Sequence, residues 1–296
     1  MSVLKSNKDK NVDVAITVDV DAIAGWLGSY GGAESVDDLS RGEFSGRVGS
    51  IRMLELFDAF DIKTTWFIPG HTIETFEDNM KKVVERGHEV GAHGYSHEDP
   101  TRLTRDKEEK IFKKSIELCQ KLSGKRPAGY RGPWDFGPNT IDLLLDHGFI
   151  YDSSIEADDF EPYLLRKGDK WYRVDYTKDP DSWMKPYEFG NKTKLLEIPV
   201  SWYLDDLPPM MFIKPPNYNY GYTSPNVMYD IYKDHFDYLY DRIGHGVFCM
   251  MTHPDVSGRP HVILMLERFI RYVKGFPGVR FRPLEQIASE YLERKH

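Results

Sequence analysis

The 296-residue sequence predicts an α/β fold, a distorted (β/α) barrel of about seven parallel strands with long loops at its C-terminal face. Short apolar or β-branched runs alternate with amphipathic stretches, which is typical of βα units repeated along a parallel sheet. The chain also has the length of one such barrel. Polar residues follow several of the apolar runs, where parallel strands would end. We therefore expect a single domain over residues 1–296.

Apolar runs predict the strands, and the helical spacing of apolar side chains predicts the helices between them. The strands are expected near residues 12–19, 64–69, 88–93, 128–132, 149–152, 195–200, 247–252 and 279–281. The helices are expected at residues 49–60, 78–86, 107–122, 138–147, 225–243 and 261–274. Pro138 near the start of one helix and Gly148 just after its end show the terminal asymmetry that helices prefer.

Three regions do not fit this alternation. Residues 22–47 are rich in glycine and acidic residues and are too long for a simple connection, which favours an active-site loop. Residues 157–194 are charged and aromatic, and residues 171–176 could form a strand of an added hairpin. Prolines exclude a regular helix from residues 201–212 and 215–222.

Composition restricts the partners and the compartment. The net charge of −8 and the absence of any block dense in Lys and Arg argue against nucleic acid as a partner. Cys119 and Cys249 each lie in an apolar pattern, so we expect buried thiols rather than a disulfide framework. The N-terminus has no apolar stretch of signal-peptide length, and no later run could span a membrane. The sequence therefore predicts a cytoplasmic protein with no membrane partner.

Two pairs of polar residues suggest a metal site. His93 and His97 are four positions apart after a predicted strand, so a helical turn would place both imidazoles on one face. Asp19 and Asp21 end the first predicted strand, where buried carboxylates would need a metal or a basic partner. Either pair could instead be ordinary surface residues, because such spacings are common.

Further reactive groups stand at the ends of other predicted strands. Arg131 follows the fourth strand, Asp152 the fifth and His253 the seventh, and the C-terminal ends of barrel strands share one face. One carboxylate with two histidines suits Zn²⁺ and leaves positions for water and a substrate oxygen. A second carboxylate and a third histidine would remain for the proton transfers of a hydrolase. The alternatives are a surface arginine, an aspartate that caps the turn at residues 153–154, and a core histidine.

Five segments resemble, in order, the motifs of the polysaccharide deacetylase (NodB-homology) family. They are Thr17-Val-Asp-Val-Asp21, His93-Gly-Tyr-Ser-His97, Arg131-Gly-Pro-Trp134, Tyr151-Asp-Ser-Ser154 and Met251-Thr-His-Pro254. The segments at 21–32, 202–212 and 253–260 resemble the subgroup without signal peptides, which includes Helicobacter-type peptidoglycan deacetylases and bacterial cyclic imide hydrolases. The resemblance implies a NodB-type barrel.

The resemblance implies that Asp21, His93 and His97 bind the metal, with Zn²⁺ favoured over Co²⁺, Ni²⁺ or Fe²⁺, and that Asp19 is the general base. The usual motif has adjacent aspartates, whereas Val20 separates these two. Which carboxylate binds the metal therefore stays open. Residues i and i+2 of a strand face the same side, so both can still reach one pocket.

The resemblance further implies that Arg131 keeps Asp19 ionised through a charge-assisted hydrogen bond. His253 would be the general acid that protonates the leaving nitrogen. A pairing of Asp152 with His253 would raise the pKa of the imidazole.

Aromatic and apolar residues are expected to enclose the substrate above the metal, because a small ring needs an enclosed and largely apolar pocket. The candidates for substrate binding are Trp26, Tyr30, Trp134, Trp202, Tyr203 and Met211. We also expect a homo-oligomer, with a tetramer as one option, in which a neighbouring subunit could complete the pocket.

The predicted function is a metal-dependent hydrolase of non-peptide C–N amide bonds. Its substrate is expected to be either the N-acetyl group of an amino-sugar polymer, such as peptidoglycan or chitin, or a small cyclic imide or ureide. The missing secretion signal favours the small substrate, because a cytoplasmic enzyme cannot reach a finished cell wall. The alternative is a metal-free binding or structural protein on the same barrel, and metal analysis would distinguish the two.

Overall fold

The computed structural model describes residues 10–214, 219 and 221–294. The strands of this part of the chain form one sheet. They are β1 (Asn11–Asp19), β2 (Thr65–Ile68), β3 (Glu89–Ala92), β4 (Gly129–Tyr130), β5 (Tyr151–Asp152), β6 (Tyr163–Lys167), β7 (Asn191–Glu197), β8 (His245–Thr252) and β9 (Val279–Phe281).

Helices connect the strands and cover the outside of the sheet. They are α1 (Ala22–Leu27), α2 (Val36–Phe44), α3 (Ser50–Ala59), α4 (Gly70–Thr75), α5 (Glu77–Glu85), α6 (Arg105–Ser123), α7 (Thr140–Asp146), α8 (Leu207–Met210), α9 (Pro225–Tyr238), α10 (Pro260–Lys274) and α11 (Leu284–Arg294). The first residues of α9 and α10 are prolines, whose missing N–H has no helical partner at that position. Within the described ranges, no helix is both long and apolar enough to cross a membrane.

The sheet is a curled, mixed half-barrel in the order β6-β7-β5-β4-β3-β2-β1-β8, with β9 beside β1. Every neighbouring pair except β6 and β7 is parallel. The half-barrel is open between its β7 side and its β8 side, and two contacts bridge this gap. Asp205 forms an isolated parallel β-bridge with Met251, and the Val247 N–H donates to the Phe160 carbonyl at 2.9 Å. The α/β class is thus confirmed, but the sheet is mixed rather than wholly parallel because β6 runs antiparallel along its edge.

The long β1 strand is an almost continuous apolar run because both of its faces are buried. Val12, Val14, Ile16 and Val18 are at most 2% exposed and belong to the larger core cluster, under the helices. Ala15, from the alternate positions, packs in a second cluster inside the curl. Strands covered on both faces lose the alternation of apolar and polar residues that marks a half-exposed sheet.

Of the active-site loop predicted over residues 22–47, Tyr30 does line the site cavity, but the segment is mostly helical rather than a loop. This segment forms α1, α2 and the start of a π-helical turn at Ser45–Gly49. The Ser35 side chain caps α2 by accepting the Asp38 N–H, and the Trp26 ring is buried in the core. The glycines of this segment allow close packing against neighbouring groups. At Gly28, for example, a Cβ would lie 2.2 Å from the Ser96 carbonyl oxygen.

The strand predicted at 171–176 is also wrong, because the hairpin partner of β7 is β6. Residues between these strands form an excursion with one isolated bridge, between Lys170 and Glu188. In the proline-rich region the predicted absence of a regular helix holds over 201–212 except for α8, a single turn whose second and third residues are prolines. Residues 215–218 and 220 lie outside the described residues.

Gly129 at the start of β4 should not accept even a methyl group. A Cβ at this position would lie 1.8 Å from Cζ of Tyr151, whose hydroxyl donates to Glu89 at 2.6 Å. We predict that Gly129→Ala lowers the unfolding free energy by about 1–3 kcal/mol, the usual cost of overpacking a core. Urea denaturation would measure the change.

Gly275→Ala is the matched control. Gly275 follows α10 with helical backbone angles, and a Cβ there would meet only the Tyr272 carbonyl at 3.2 Å. This variant should stay within about 0.5 kcal/mol of the wild type, as surface substitutions usually do. Equal stability of the two variants would show that β4 and β5 can separate without cost.

Candidate active site

Polar residues from separate strands converge at one rim of the sheet. Asp19 and Asp21 lie at and just beyond the end of β1, and Arg131 directly follows β4. His93 directly follows β3 and His253 directly follows β8. Each of these side chains is at most 5% exposed. This agrees with the convergence expected for the C-terminal ends of parallel strands.

Asp21, His93 and His97 form a group whose ligand atoms lie within 4.8 Å of one another. Asp21 Oδ1 is 3.2 Å from His93 Nε2, and Asp21 Oδ2 is 3.4 Å from His97 Nε2. Within the described part of the chain, Asp21 Oδ1 and His93 Nε2 are buried without a hydrogen-bond partner. Buried polar atoms that face each other without partners are what a metal ion would satisfy. One carboxylate and two imidazoles also suit Zn²⁺ and leave positions open.

The other atoms of these side chains are held by neighbours. His93 Nδ1 donates to the Arg131 carbonyl at 2.8 Å, so its Nε2 carries the free lone pair. His97 Nδ1 lies 2.6 Å from Ser29 Oγ, and the Tyr30 hydroxyl donates to Asp21 Oδ2. Such partners fix the ring orientations, so that both Nε2 atoms face the Asp21 carboxylate.

The charge states of Asp21, His93 and His97 also suit a metal-binding group. Burial favours the neutral form of Asp21, but His97, His93 and His253 outweigh it and hold the pKa of Asp21 below its usual range. Burial lowers the pKa of His97 to about 4, so its imidazole is neutral at neutral pH. Burial also opposes the charge of His93, but Asp21 and Asp19 raise the pKa of His93 overall. The buried carboxylate therefore attracts positive charge from its surroundings.

Asp19 is held apart from this group by Arg131. The Arg131 guanidinium donates to Asp19 Oδ1 at 2.9 Å and to Thr17 Oγ1 at 2.6 Å. It also donates to the Ser153 carbonyl at 2.6 Å and to Ser153 Oγ at 2.9 Å, and it stacks on the Phe67 ring. Because Arg131 is 2% exposed, the ion pair with Asp19 is shielded from water.

His253 is paired with Asp206, and the predicted pairing with Asp152 is wrong. His253 Nδ1 is 2.8 Å from Asp206 Oδ1, and Asp206 also accepts the His253 N–H and the Ser257 hydroxyl. Burial lowers the pKa of His253, but Asp205 and Asp206 raise it well above its usual value overall. His253 Nε2 faces the site, 3.6 Å from an Asp21 oxygen and 3.9 Å from an Asp19 oxygen.

Asp152 lies at the end of β5 but points to other partners. It accepts the Ser154 hydroxyl at 2.9 Å and is the register partner of Glu197 on β7. The capping role, weighed as an alternative from the sequence, is thus the one that the structure shows. Sequence reasoning missed Asp206 and Glu197. In the sequence, the only sign of a buried role was the apolar setting of each acid. Asp206 lies in the apolar, proline-rich segment, and Glu197 lies in the apolar run of β7.

Backbone strain concentrates around the site. Ala22, His97 and Trp134 are non-glycine residues with φ angles of 49°, 55° and 65°. Such conformations cost of order 1–3 kcal/mol each and persist where the surroundings impose them. Here they direct the His97 imidazole inward and hold the half-exposed Trp134 ring at the cavity edge.

A cavity of about 240 Å³ opens onto these groups. Its walls include three of the six side chains predicted to bind substrate, namely Tyr30, Trp134 and Trp202. The other three lie elsewhere and are corrections. Trp26 is buried in the core, Tyr203 is 70% exposed and stacks on His235, and Met211 lines a different cavity.

The comparisons with known proteins agree with this geometry. The family model for polysaccharide deacetylase matches residues 36–149. The chain is 50% identical to the peptidoglycan deacetylase of Helicobacter pylori over 286 residues, covering 96% of this chain and 98% of that protein. It is 38% identical to the peptidoglycan deacetylase-like protein FGM2 of Gibberella zeae, covering 96% of this chain and 87% of that protein.

Solved structures show the same fold. A Mycobacterium smegmatis crystal structure assigned to the polysaccharide deacetylases superposes with a TM-score of 0.82 at 29% identity, covering 99% of this chain and 94% of that one. The crystal structure of PuuE allantoinase superposes with a TM-score of 0.75 at 24% identity, covering 97% and 93%, and shares the fold. The chain therefore belongs to the polysaccharide deacetylase family and is a hydrolase of non-peptide C–N amide bonds.

Proposed function

We propose that the protein is a metal-dependent hydrolase that acts on small amides, with a cyclic imide or ureide as the favoured substrate class. The observation that carries the metal dependence is the buried group of Asp21, His93 and His97, in which two facing ligand atoms have no other partner in the described ranges. The observation that carries the substrate size is the cavity of about 240 Å³ over that group.

The three side chains would hold one divalent cation, with Zn²⁺ favoured by the mixed carboxylate and imidazole set. Such a cation, when bound, acts as a Lewis acid and lowers the pKa of a coordinated water. The protein's own contribution is a carboxylate kept ionised beside two imidazoles whose orientation is fixed by Arg131 and Ser29.

Proton transfer would be divided between Asp19 and His253. Asp19, held by the buried Arg131, accepts the proton of the attacking water. His253, oriented by Asp206 through Nδ1, presents Nε2 to the cavity and donates a proton to the leaving nitrogen. The leaving nitrogen, an amide or urea nitrogen in a cyclic imide or ureide, needs a proton to depart, so a His253 that keeps its proton is suited to this step.

The cavity argues for a small substrate. Its volume lies below the roughly 300–1,000 Å³ typical of sites for drug-sized ligands. Trp134, Trp202 and Val200 contribute apolar walls, so a single ring fits better than an extended chain. The predicted homo-oligomer stays a prediction, which light scattering on the purified protein would test.

Deacetylation of an amino sugar is the second candidate. It is favoured by the 50% identity to a protein named peptidoglycan deacetylase, which extends over almost the whole of both chains. The same metal group, base and acid would serve this reaction, because both substrates are amides that pass through a tetrahedral oxyanion.

We predict that His93→Ala and His97→Ala lose the metal while the fold survives. Each removes one of three protein ligands, which leaves too few for a tight catalytic site. Elemental analysis of the purified variants should show near-zero occupancy against about one ion per wild-type chain. His71→Ala, which removes a histidine outside the group, should keep full occupancy. Full occupancy in either ligand variant would exclude this site.

We predict that Asp206→Asn and Asp19→Asn keep the metal and lose turnover. Loss of a positioned acid or base costs about 10²–10⁴-fold in rate, so kcat should fall by at least about 100-fold in each. The exposed Asp234→Asn on α9 is the control and should match the wild type. A wild-type kcat in Asp206→Asn would remove Asp206 from the reaction.

Substrate class is decided by turnover of succinimide, hydantoin and N-acetylglucosamine oligomers by the metal-loaded enzyme. A cavity with the volume for a single ring predicts turnover of the cyclic amides with little or none of the oligomers. Release of acetate from the oligomers without imide turnover would instead support the amino-sugar candidate.

A further inference from the structure

Two buried carboxyl groups lie side by side next to the active site. Asp152 on β5 and Glu197 on β7 are register partners in adjacent parallel strands, and neither side chain is exposed. No ion pair involves either of them among the described residues. Arg131, whose charge acts on Asp152, directs its N–H groups to Asp19, Thr17 and Ser153 instead.

Half of the carboxyl oxygens of this pair have conventional donors. Glu197 Oε1 accepts the backbone N–H groups of Ser154 at 2.9 Å and Ile155 at 3.0 Å. Asp152 Oδ1 accepts the Ser154 hydroxyl at 2.9 Å. Asp152 Oδ2 and Glu197 Oε2 have no N–H or O–H donor within residues 10–214, 219 and 221–294. Because Asp152 and Glu197 are register partners, these two oxygens without donors belong to neighbouring side chains, and a hydrogen bond between two carboxyl groups requires a proton.

We propose that Asp152 and Glu197 share one proton and form a clamp that positions the turn at residues 153–156. Ser154, Ile155 and Glu156 of this turn line the cavity, and Ser153 accepts two hydrogen bonds from the Arg131 guanidinium. The clamp thereby sets the position of the arginine that holds the general base. Both carboxyl groups are positioning residues, because neither lines the cavity. The catalytic part of the inference rests on the proposed hydrolase function.

The surroundings support a shared proton rather than two charges. Arg131 beyond β4, Tyr130 on β4 and Tyr163 on β6 are the ionisable groups that act on the pair. Burial raises the pKa of both tyrosines, which keeps them neutral. Burial also raises the pKa of Asp152 to about 6 and, with the neighbouring Asp152, the pKa of Glu197 well above its usual value.

The proton makes a testable contribution to stability. The pKa of Glu197 is raised in the folded protein above its ordinary value of 4.5. The stabilisation is therefore complete below pH 4.5 and is lost as pH rises through the folded-state pKa. The wild-type unfolding free energy should fall over that window.

Two variants, Glu197→Gln and Glu197→Ala, test the shared proton separately from the positioning of the turn. The glutamine carbonyl can accept both backbone N–H groups while its NH₂ donates to Asp152, which replaces the shared proton permanently. This variant should keep metal content and kcat near wild type, with a smaller fall of stability over the pH window. Glu197→Ala should keep the metal and KM but lose kcat by about 100-fold, the scale expected for a misplaced catalytic group.

Glu89 provides the matched control. It is also a buried glutamate with a raised pKa, bonded to Thr65, Tyr151 and the Glu285 N–H, but it lies at the opposite end of the strands. Glu89→Ala should lower stability without lowering kcat. An equal kcat loss in Glu89→Ala and Glu197→Ala would refute the positioning role.

The shared proton has its own test. An identical pH dependence of unfolding in the wild type and Glu197→Gln would refute it. Unfolding needs no turnover, so a failure of the proposed hydrolase function would appear separately, as a wild-type protein that turns over none of the amides.

Discussion

The buried Arg131 guanidinium is the interaction on which the active-site rim depends. It contacts Thr17 and Asp19 at the end of β1 and Ser153 after β5, while its own carbonyl accepts from His93. Through its side chain and its backbone carbonyl, this one residue therefore links the ends of β1, β3, β4 and β5. A buried guanidinium is costly to desolvate unless its donors are satisfied, and here the carboxylate, hydroxyl and carbonyl groups satisfy them. The same bonds that stabilise the guanidinium also fix the positions of the Asp19 carboxylate and the His93 imidazole.

Three buried acids of the site have different nearest partners. Asp19 has the guanidinium, Asp206 has the His253 imidazole, and Asp21 faces the His93 and His97 imidazoles. Environments that differ in this way give chemically similar groups different protonation states, which is how one cavity can hold a base and an acid. Asp205 lies 3.4 Å from the same His253 nitrogen as Asp206, but burial raises its pKa to about 7.

The small cavity is also a consequence of packing. The segment after β1, expected to be a loop, instead packs as helices with Trp26 in the core, and it presents Tyr30 to both Asp21 and the cavity. The proline-rich segment after β7 bridges to β8 through Asp205 and places Trp202 on the opposite wall. Together the two segments contribute walls to the cavity beside His93 and His97.

The sequence by itself determined the α/β class, most strand positions and the residues that meet at the rim, because apolar periodicity and polar strand ends are local patterns. It also carried the family resemblance. Only the tertiary structure decided that His253 pairs with Asp206 rather than Asp152, and that Asp152 pairs with Glu197. These partners are distant in sequence, and their contacts follow from strand order and register, which no local pattern encodes. For the same reason, burial of Trp26 and exposure of Tyr203 emerged only once the segments were packed against the barrel.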